Sequence, residues 1–216
     1  MTATLDPRPA MRGVLHRIFV LLGVPAFAVM AVLASTGTSM AAVLVYGAGV
    51  TAMLGTSAVY HSGRLSERVT AVLKRIDHVT ILFAIAGSYT AVTVLALDGA
   101  SEHTLLVFVW TAAVVGAALR MFWLHAPRPV VAAVYLVVGW SALIEIGAIS
   151  ESLNAIDLTL MVVGGGLYTV GAVVYAAKRP DPWPRHFGFH EIFHLLVVMA
   201  ATAHYVLVMR LLTGAA

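Results

Sequence analysis

Seven long apolar runs constrain the fold of this chain more than any other feature of its 216-residue sequence. A helix needs about 20 apolar residues to cross the hydrocarbon core of a bilayer. The runs predict spanning helices at about residues 19–34, 39–61, 76–97, 104–123, 129–149, 158–177 and 188–212. Only 11% of the residues are charged, against roughly 25% in a typical soluble domain. We therefore predict an all-α integral membrane protein, a seven-transmembrane-helix bundle with no room for a separate soluble domain.

The basic residues predict the orientation of the bundle. Twelve of the 13 Lys and Arg residues lie in the N-terminal segment or at the links after the second, fourth and sixth runs, and only Arg210 lies on the opposite side. The opposite links carry the acidic residues Asp98, Glu102, Glu151 and Asp157. Because cytoplasmic loops are enriched in Lys and Arg, we predict a cytoplasmic N-terminus and an external C-terminus. Residues 1–17 are the predicted cytoplasmic tail, and residues 18–214 are a single transmembrane domain.

The first apolar run has a competing interpretation as a cleaved signal peptide, because a basic stretch precedes it. An uncleaved anchor is favoured, since the run is of full length and the second run follows almost at once. The basic residues are scattered through short links and form no basic helix or ribbon, so we expect no nucleic-acid partner. The sequence contains no cysteine, so any metal site must use His, Asp or Glu.

Five polar residues within the apolar runs converge on one side of the membrane. His61 closes the second run, and Ser57 lies one turn deeper on the same helix face. Asp77 opens the third run, while His190 and His194 lie in the first turns of the seventh at i, i+4 spacing. Ionisable side chains inside the bilayer are costly unless they are paired or functional. The predicted topology places all five within about three helical turns of the cytoplasmic face.

Three imidazoles at one depth predict a zinc site. His61, His190 and His194 can supply three tetrahedral ligands to Zn²⁺ and leave the fourth position for water. Asp77 could hold or deprotonate that water, or orient a histidine, and Ser57 could hydrogen-bond the carboxylate or a substrate oxygen. A single histidine at a helix end is usually interfacial, and this interpretation is preferred for His61 taken alone. The shared depth of the three histidines favours the metal site.

A rival interpretation comes from residues 190–194, which match H-E-x-x-H, the signature of zinc proteases in which the glutamate is the general base. An intramembrane protease of this kind takes its third ligand from a later helix, but here the motif lies in the last apolar run. The third ligand would have to be His61, far upstream. We therefore expect Glu191 to be a supporting or interfacial residue rather than the base.

Three separated motifs resemble the bacterial hemolysin III family. They are Ser57-x-x-x-His61, Lys74-Arg75-Ile76-Asp77-His78 running into Ala86-Gly87-Ser88-Tyr89-Thr90, and Phe187-Gly188-Phe189-His190-Glu191-Ile192-Phe193-His194. Residues 165–171, with Tyr175 and Pro180, also look like the sixth helix of that family. The family belongs with the adiponectin and progestin receptors and is distantly related to the alkaline ceramidases. The resemblance covers nearly the whole chain beyond the N-terminal tail.

This resemblance implies a seven-helix zinc protein of the bacterial inner (plasma) membrane. The implied zinc ligands are His61, His190 and His194, with Asp77 contacting the zinc-bound water. The receptor and ceramidase relatives are associated with hydrolysis of lipid amides, so we expect membrane lipids and a lipid-like substrate as partners. The oligomeric state stays open. The chain departs from the family pattern at Ala91, where a proline is common.

The function predicted from the sequence is hydrolysis of a lipid-like amide or ester, with water activated by zinc and Asp77. The alternative is a non-catalytic sensor or membrane-homeostasis protein, in which a structural zinc joins the second, third and seventh helices. A transporter or channel is disfavoured, because Glu145 and His204 are the only ionisable candidates near mid-membrane.

Other residues in the runs carry secondary expectations. We expect His78 to be interfacial, His204 to bond a neighbouring helix and Arg120 to extend to the interface. The three consecutive glycines at residues 164–166 predict close helix packing or, alternatively, space for an acyl chain beside the bundle.

Overall fold

The computed structural model describes Pro9 and residues 11–61, 65–123 and 125–215, and regular structure within these ranges is helical apart from one bridge between Trp183 and Phe187. Seven of the helical segments are long and apolar enough to cross a membrane. We number them as spans one to seven: Val14–Leu33, Gly37–Tyr60, Glu67–Ala96, Gly99–Phe122, Arg128–Ser152, Ala155–Ala177 and Phe189–Thr213. The predicted all-α seven-helix architecture is confirmed.

Two spans begin earlier than the apolar runs predict. Span three starts at Glu67 rather than near residue 76, so Asp77 lies about three turns inside the helix and does not open it. Span one starts at Val14, so the last residues of the predicted tail belong to the bundle. The tail residues 1–8 and 10, and Arg64 of the second link, lie outside the described residues.

Span five is not one continuous α-helix. It passes from α-helix at Arg128–Gly139 through a 3₁₀ segment at Ser141–Glu145 to α-helix at Ile146–Ser152. The Tyr89 hydroxyl of span three donates to the Gly139 carbonyl at 2.7 Å and accepts from the Ala142 N–H at 2.8 Å. Irregular backbone at membrane depth is stable only where protein groups satisfy its hydrogen bonds. Tyr89 therefore stabilises the break in span five.

Spans two and three pack with their backbones close together, because glycine occupies both contact points. A Cβ atom on Gly49 would lie 2.8 Å from the Phe83 carbonyl oxygen, and one on Gly87 would lie 2.9 Å from the Val45 carbonyl oxygen. Small residues allow this approach, whereas a larger side chain at either position would push the helices apart. The contact sets the relative position of the polar residues that the two spans carry.

Span seven is anchored by an ion pair at each end. We call one end of the bundle the basic end: it is formed by the N-terminal segment and the links after spans two, four and six, on the predicted cytoplasmic side. There Arg12 pairs with Glu191, and at the opposite end Arg210 pairs with the fully buried Asp157. These are the two ion pairs found among the described residues. The sequence placed Asp157 in a link, but it lies in the first turn of span six.

Candidate metal centre

Three histidines from two spans meet at the basic end. His61 is the C-terminal cap of span two, and His190 and His194 lie one turn apart at the start of span seven. Their ligand atoms all lie within 4.8 Å of one another, and the Nε2 atoms of His61 and His190 are 3.1 Å apart. We call these residues the three-histidine cluster. The fold thus brings together the three residues that the sequence predicts as metal ligands.

One pair of imidazoles in the three-histidine cluster has about the separation of two ligands of a tetrahedral zinc ion. Zinc–nitrogen bonds of about 2.0–2.1 Å put two tetrahedral ligand nitrogens about 3.3–3.4 Å apart. The 3.1 Å between the Nε2 atoms of His61 and His190 is close to this value, and it also suits a hydrogen bond between neutral imidazoles. Three imidazoles favour zinc or a similar transition metal over calcium or magnesium, which prefer oxygen ligands.

Asp77 and Ser57 form a pair beside the cluster. Ser57 is almost fully buried on span two, and its side chain lies beside the Asp77 carboxylate on span three. Both residues line the cavity that the three histidines line. Among the described residues, Asp77 is not part of the group whose ligand atoms lie within 4.8 Å. This position suits a carboxylate that acts on a molecule in the cavity rather than one that ligates the ion.

The cavity has a volume of about 460 Å³ and extends from the cluster into the bundle. Its inner part is lined by Trp140, Gly165 and His204, which also line a second cavity of about 110 Å³. The second cavity continues among apolar side chains such as Leu97 and Leu153. Ligand pockets usually measure about 300–1,000 Å³. The bundle therefore holds a ligand-sized space that is polar at the cluster and apolar farther along.

The glycines at residues 164–166 have different surroundings. A Cβ atom on Gly164 would overlap the His204 ring, so this glycine lets spans six and seven approach each other. Gly165 and Gly166 have open space where a Cβ atom would lie, and Gly165 lines both cavities. The Nε2 atom of His204 lies 3.4 Å from the Met161 carbonyl oxygen of span six, which is the interhelical contact expected from the sequence.

Glu191 is not placed to be a catalytic base. Its side chain is fully buried; Oε1 accepts a hydrogen bond from Arg12 Nε, and Oε2 accepts one from the Gly188 N–H at 2.9 Å. As the residue after His190, it points about 100° away from that ligand on the helix. The H-E-x-x-H match therefore combines two clustered histidines with a glutamate that ties the N-terminal segment to span seven.

We predict that Glu191→Gln lowers stability and leaves the metal content unchanged. The substitution removes the charge that neutralises Arg12, and a hydrogen bond to a charged group contributes about 1.5–3 kcal/mol. Unfolding of the purified protein in detergent, measured beside its zinc content, tests both expectations. Arg12→Gln should lose a similar free energy of unfolding, and the double variant should lose little more. Full stability with abolished turnover in Glu191→Gln would instead identify Glu191 as the base.

Two residues that line the cavity differ from expectation, and a third, His16, was not predicted. His16 of span one stacks on His194 with ring centroids 3.8 Å apart, and neither of its ring nitrogens has a hydrogen-bond partner among the described residues. Arg120 was expected to reach the interface, but it is 5% exposed and lines the cavity. His78 was expected to be interfacial, but it is buried, and its Nδ1 bonds the Lys74 carbonyl one turn earlier. A local hydrogen bond thus makes burial of His78 tolerable.

Comparison with known proteins gives a match along most of the chain. The family model described as "Haemolysin-III related" matches residues 6–205. "Hemolysin-3" of Bacillus cereus is 29% identical over 189 residues, which cover 86% of this chain and 83% of that protein. "Hemolysin-3 homolog" of Bacillus subtilis (strain 168) is 30% identical over 194 residues, which cover 88% of each. "Adiponectin receptor protein" of Drosophila melanogaster is 36% identical over 92 residues, which cover 37% of this chain and 20% of that protein.

Proposed function

The chain belongs to the haemolysin-III related family of multi-pass bacterial membrane proteins, and from this membership and the three-histidine cluster we propose that it is a zinc-dependent hydrolase of a lipid-like amide or ester. One observation carries the proposal: three imidazoles with ligand atoms within 4.8 Å of one another share a cavity with a serine–aspartate pair. A metal site that only joined helices would need neither the pair nor the cavity.

His61, His190 and His194 would hold the zinc ion, which fits their donor set and spacing. When bound, zinc supplies Lewis acidity that polarises a carbonyl group and lowers the pKa of water toward about 7. Because the histidines come from two spans at the basic end, the reacting group of a lipid would lie near head-group depth. This depth suits the amide or ester that joins an acyl chain to a polar head group.

Asp77 is the proposed general base. Its carboxylate lines the cavity without joining the ligand group, so it can accept a proton from water beside the substrate carbonyl. Ser57 is a positioning residue, since its hydroxyl contacts the Asp77 carboxylate and limits the orientations available to it. Both side chains come from spans that glycine contacts hold tightly together, which keeps the pair rigid.

The connected cavities provide space for the apolar part of a substrate. The second cavity is lined by residues such as Leu105, Ile149 and Leu207 and shares Gly165 with the larger one. Burial of an acyl chain there is favourable by about 0.8 kcal/mol for each CH₂ group that leaves water. A lipid that enters from the bilayer gains less, because its chain already lies in an apolar solvent. The cavity therefore serves mainly to orient the chain and place the carbonyl.

The second candidate is a sensor or membrane-homeostasis protein with a structural zinc. It is supported by two contacts at the basic end. The cluster connects spans two and seven, and the Arg12–Glu191 ion pair connects the N-terminal segment to span seven. In such a protein, His61→Ala would destabilise the whole bundle. In the hydrolase, the same substitution would abolish turnover with a smaller loss of stability, because the rest of the helix packing is independent of the metal.

Turnover by the zinc-loaded protein tests the proposal. The full-length protein, in lipid nanodiscs, is expected to hydrolyse at least one member of a panel of N-acyl amides and acyl esters of matched chain length. Treatment with a chelator should lower the rate at least about 100-fold, and added zinc should restore it. Helical content by circular dichroism is the control for folding. One bound zinc without turnover on any panel member, together with a large fall in unfolding midpoint on chelation, would contradict the hydrolase and support the structural zinc.

A further inference from the structure

We infer that Arg120 and Arg128 form a phosphate-binding subsite in the cavity, and that the ligand is an amphiphile whose phosphate-bearing head group lies there. The inference deepens the proposed function, on which it rests for the view that the cavity holds a substrate. It concerns the head group of that substrate rather than the bond that is cleaved. The subsite can therefore be tested by binding alone.

Arg120 is a buried cation that has no counter-ion among the described residues. It lies in the last turn of span four, is 5% exposed and lines the cavity. One Nη1 hydrogen bond, to the Trp123 carbonyl at 2.8 Å, fixes its direction, while its Nε has no hydrogen-bond partner among the described residues. Burial of an unpaired charge is strongly unfavourable unless an opposite charge is supplied. An anionic ligand in the cavity would supply it.

Arg128 is held toward the same cavity by two aromatic rings. Its guanidinium carbon lies 5.5 Å from the ring centroid of Tyr175 and 5.7 Å from that of Phe189. Its Nη1 atom is buried and has no hydrogen-bond partner within the described ranges. Arg128 also begins the first helix of span five, where the positive end of the helix dipole disfavours a cation. An anion beside Arg128 would offset this unfavourable placement.

Tyr175 lies between Arg128 and the metal centre. Its ring contacts the Arg128 guanidinium, and it lines the cavity together with Arg120 and Asp77. Its ring centroid lies 6.1 Å from that of His190. Arg128 therefore lies near the three-histidine cluster, and Arg120 lines the same cavity. A head group held by both would place an attached acyl linkage near that cluster.

The charges that line the cavity favour an anion over a neutral ligand. The basic side chains in the lining are Arg12, Lys74, Arg120 and Arg128, and Asp77 is the acidic one. Glu191 neutralises Arg12, whereas neither Arg120 nor Arg128 is in an ion pair with any described residue. An excess of positive charge remains, and a bound zinc ion would increase it. Such a cavity attracts anions and repels cationic head groups.

A phosphate fits this pair of arginines better than a carboxylate. One guanidinium fork can occupy both oxygens of a carboxylate, whereas a phosphate monoester offers three oxygens and can accept from two guanidinium groups at once. The apolar extension past Trp140 and Gly165 suits a ligand that also carries an acyl or alkyl chain. Together these features identify the ligand class as a phosphate-bearing amphiphile.

The test compares two ether-linked lipids that the protein cannot hydrolyse: an alkylglycerol phosphate and the same alkylglycerol without phosphate. The full-length protein in neutral detergent micelles is titrated with each lipid, and with inorganic phosphate, with zinc bound and after chelation. Apparent Kd values come from the shift in unfolding midpoint. We expect the phosphate lipid to bind at least about tenfold more tightly than the alkylglycerol. This preference should weaken as salt concentration rises.

Arg120→Gln and Arg128→Gln should each reduce the preference for the phosphate lipid by about tenfold. Arg120→Lys keeps the charge and should keep part of the preference, and it remains informative if Arg120→Gln does not fold. Arg185→Gln is the matched control, because Arg185 is exposed in a loop at the same end. Competition by inorganic phosphate in wild type but not in the Gln variants supports the subsite.

Three outcomes would overturn the inference or part of it. If the two lipids bind equally tightly, the subsite does not exist. The same conclusion follows if both Gln variants keep the wild-type preference for the phosphate lipid. If inorganic phosphate binds as tightly as the phosphate lipid, the ligand is free phosphate rather than an amphiphile. None of these results depends on turnover. The binding experiment therefore tests the subsite, and the turnover experiment tests the hydrolase proposal independently.

Discussion

His190→Ala is expected to lose the zinc ion that the purified wild-type protein should carry at about one per chain. The substitution leaves two imidazoles where three ligand atoms now lie within 4.8 Å of one another. Replacement of residues that merely support metal ligands already weakens binding about 10–100-fold, so loss of a ligand should weaken it more than about 100-fold. Metal analysis by mass spectrometry after dialysis measures the zinc content directly.

His186→Ala is the matched control for this experiment. His186 stands one turn before His190 at the same i, i+4 spacing, but it is exposed in the loop. Its backbone carbonyl accepts from the Met11 N–H at 3.2 Å, and its backbone N–H donates to the Trp183 carbonyl at 2.9 Å. The control should therefore keep its zinc. A wild-type protein without metal would contradict the proposed site, and so would a His190→Ala protein with undiminished zinc.

The sequence was sufficient to predict the spans and the convergence of the histidines. The length of an apolar run and the positions of Lys and Arg beside it are local properties of the sequence. Each span can therefore be predicted from its own segment of the chain. With seven spans, alternate ends fall on the same side of the membrane. This alternation of span ends predicts that His61 lies near His190 and His194, although more than half of the sequence separates them. The coincidence of depth, rather than any one motif, carried the prediction.

The parts that the sequence did not predict depend on tertiary contacts. The break in span five is stabilised by Tyr89, a residue of span three. The sequence around residue 140 does not predict the break. Arg120 was expected to extend to the interface because a single chain gives no sign of a cavity beside a helix end. The sequence does not indicate a role for His16, because it precedes the apolar part of its helix, where charged residues are also found. In each case the deciding surroundings are formed with other spans: Tyr89 at the break, the cavity beside Arg120 and the His194 ring beside His16.

The H-E-x-x-H match shows how a motif can mislead when its surroundings are unknown. Its two histidines belong to the three-histidine cluster, but its glutamate forms an ion pair with Arg12, a residue 179 positions earlier in the chain. The acidic group in the cavity is Asp77, which no local pattern connects with residues 190–194. The chemistry of the site is therefore assigned by which side chains line the cavity.

Asp77→Asn is expected to lower turnover about 10²–10⁴-fold while zinc content and unfolding midpoint stay close to wild type. Asparagine keeps the size of the side chain and can still accept a hydrogen bond from Ser57, but it cannot take a proton from water. Because Asp77 lies outside the group of ligand atoms, its loss should not release the metal. Initial rates on the best substrate of the lipid panel, with zinc measured on the same sample, test this directly.

Two further variants separate a catalytic from a structural role for Asp77. Ser57→Ala removes only the contact that orients the carboxylate, so it should lower turnover by a smaller factor, about tenfold. Asp98→Asn changes an exposed carboxylate at the end opposite the basic end and should leave the rate unchanged. If Asp77→Asn lost zinc and stability together, Asp77 would be a structural part of the metal site. If it kept full turnover, the base would have to be another group in the cavity, and the proposed mechanism would be wrong.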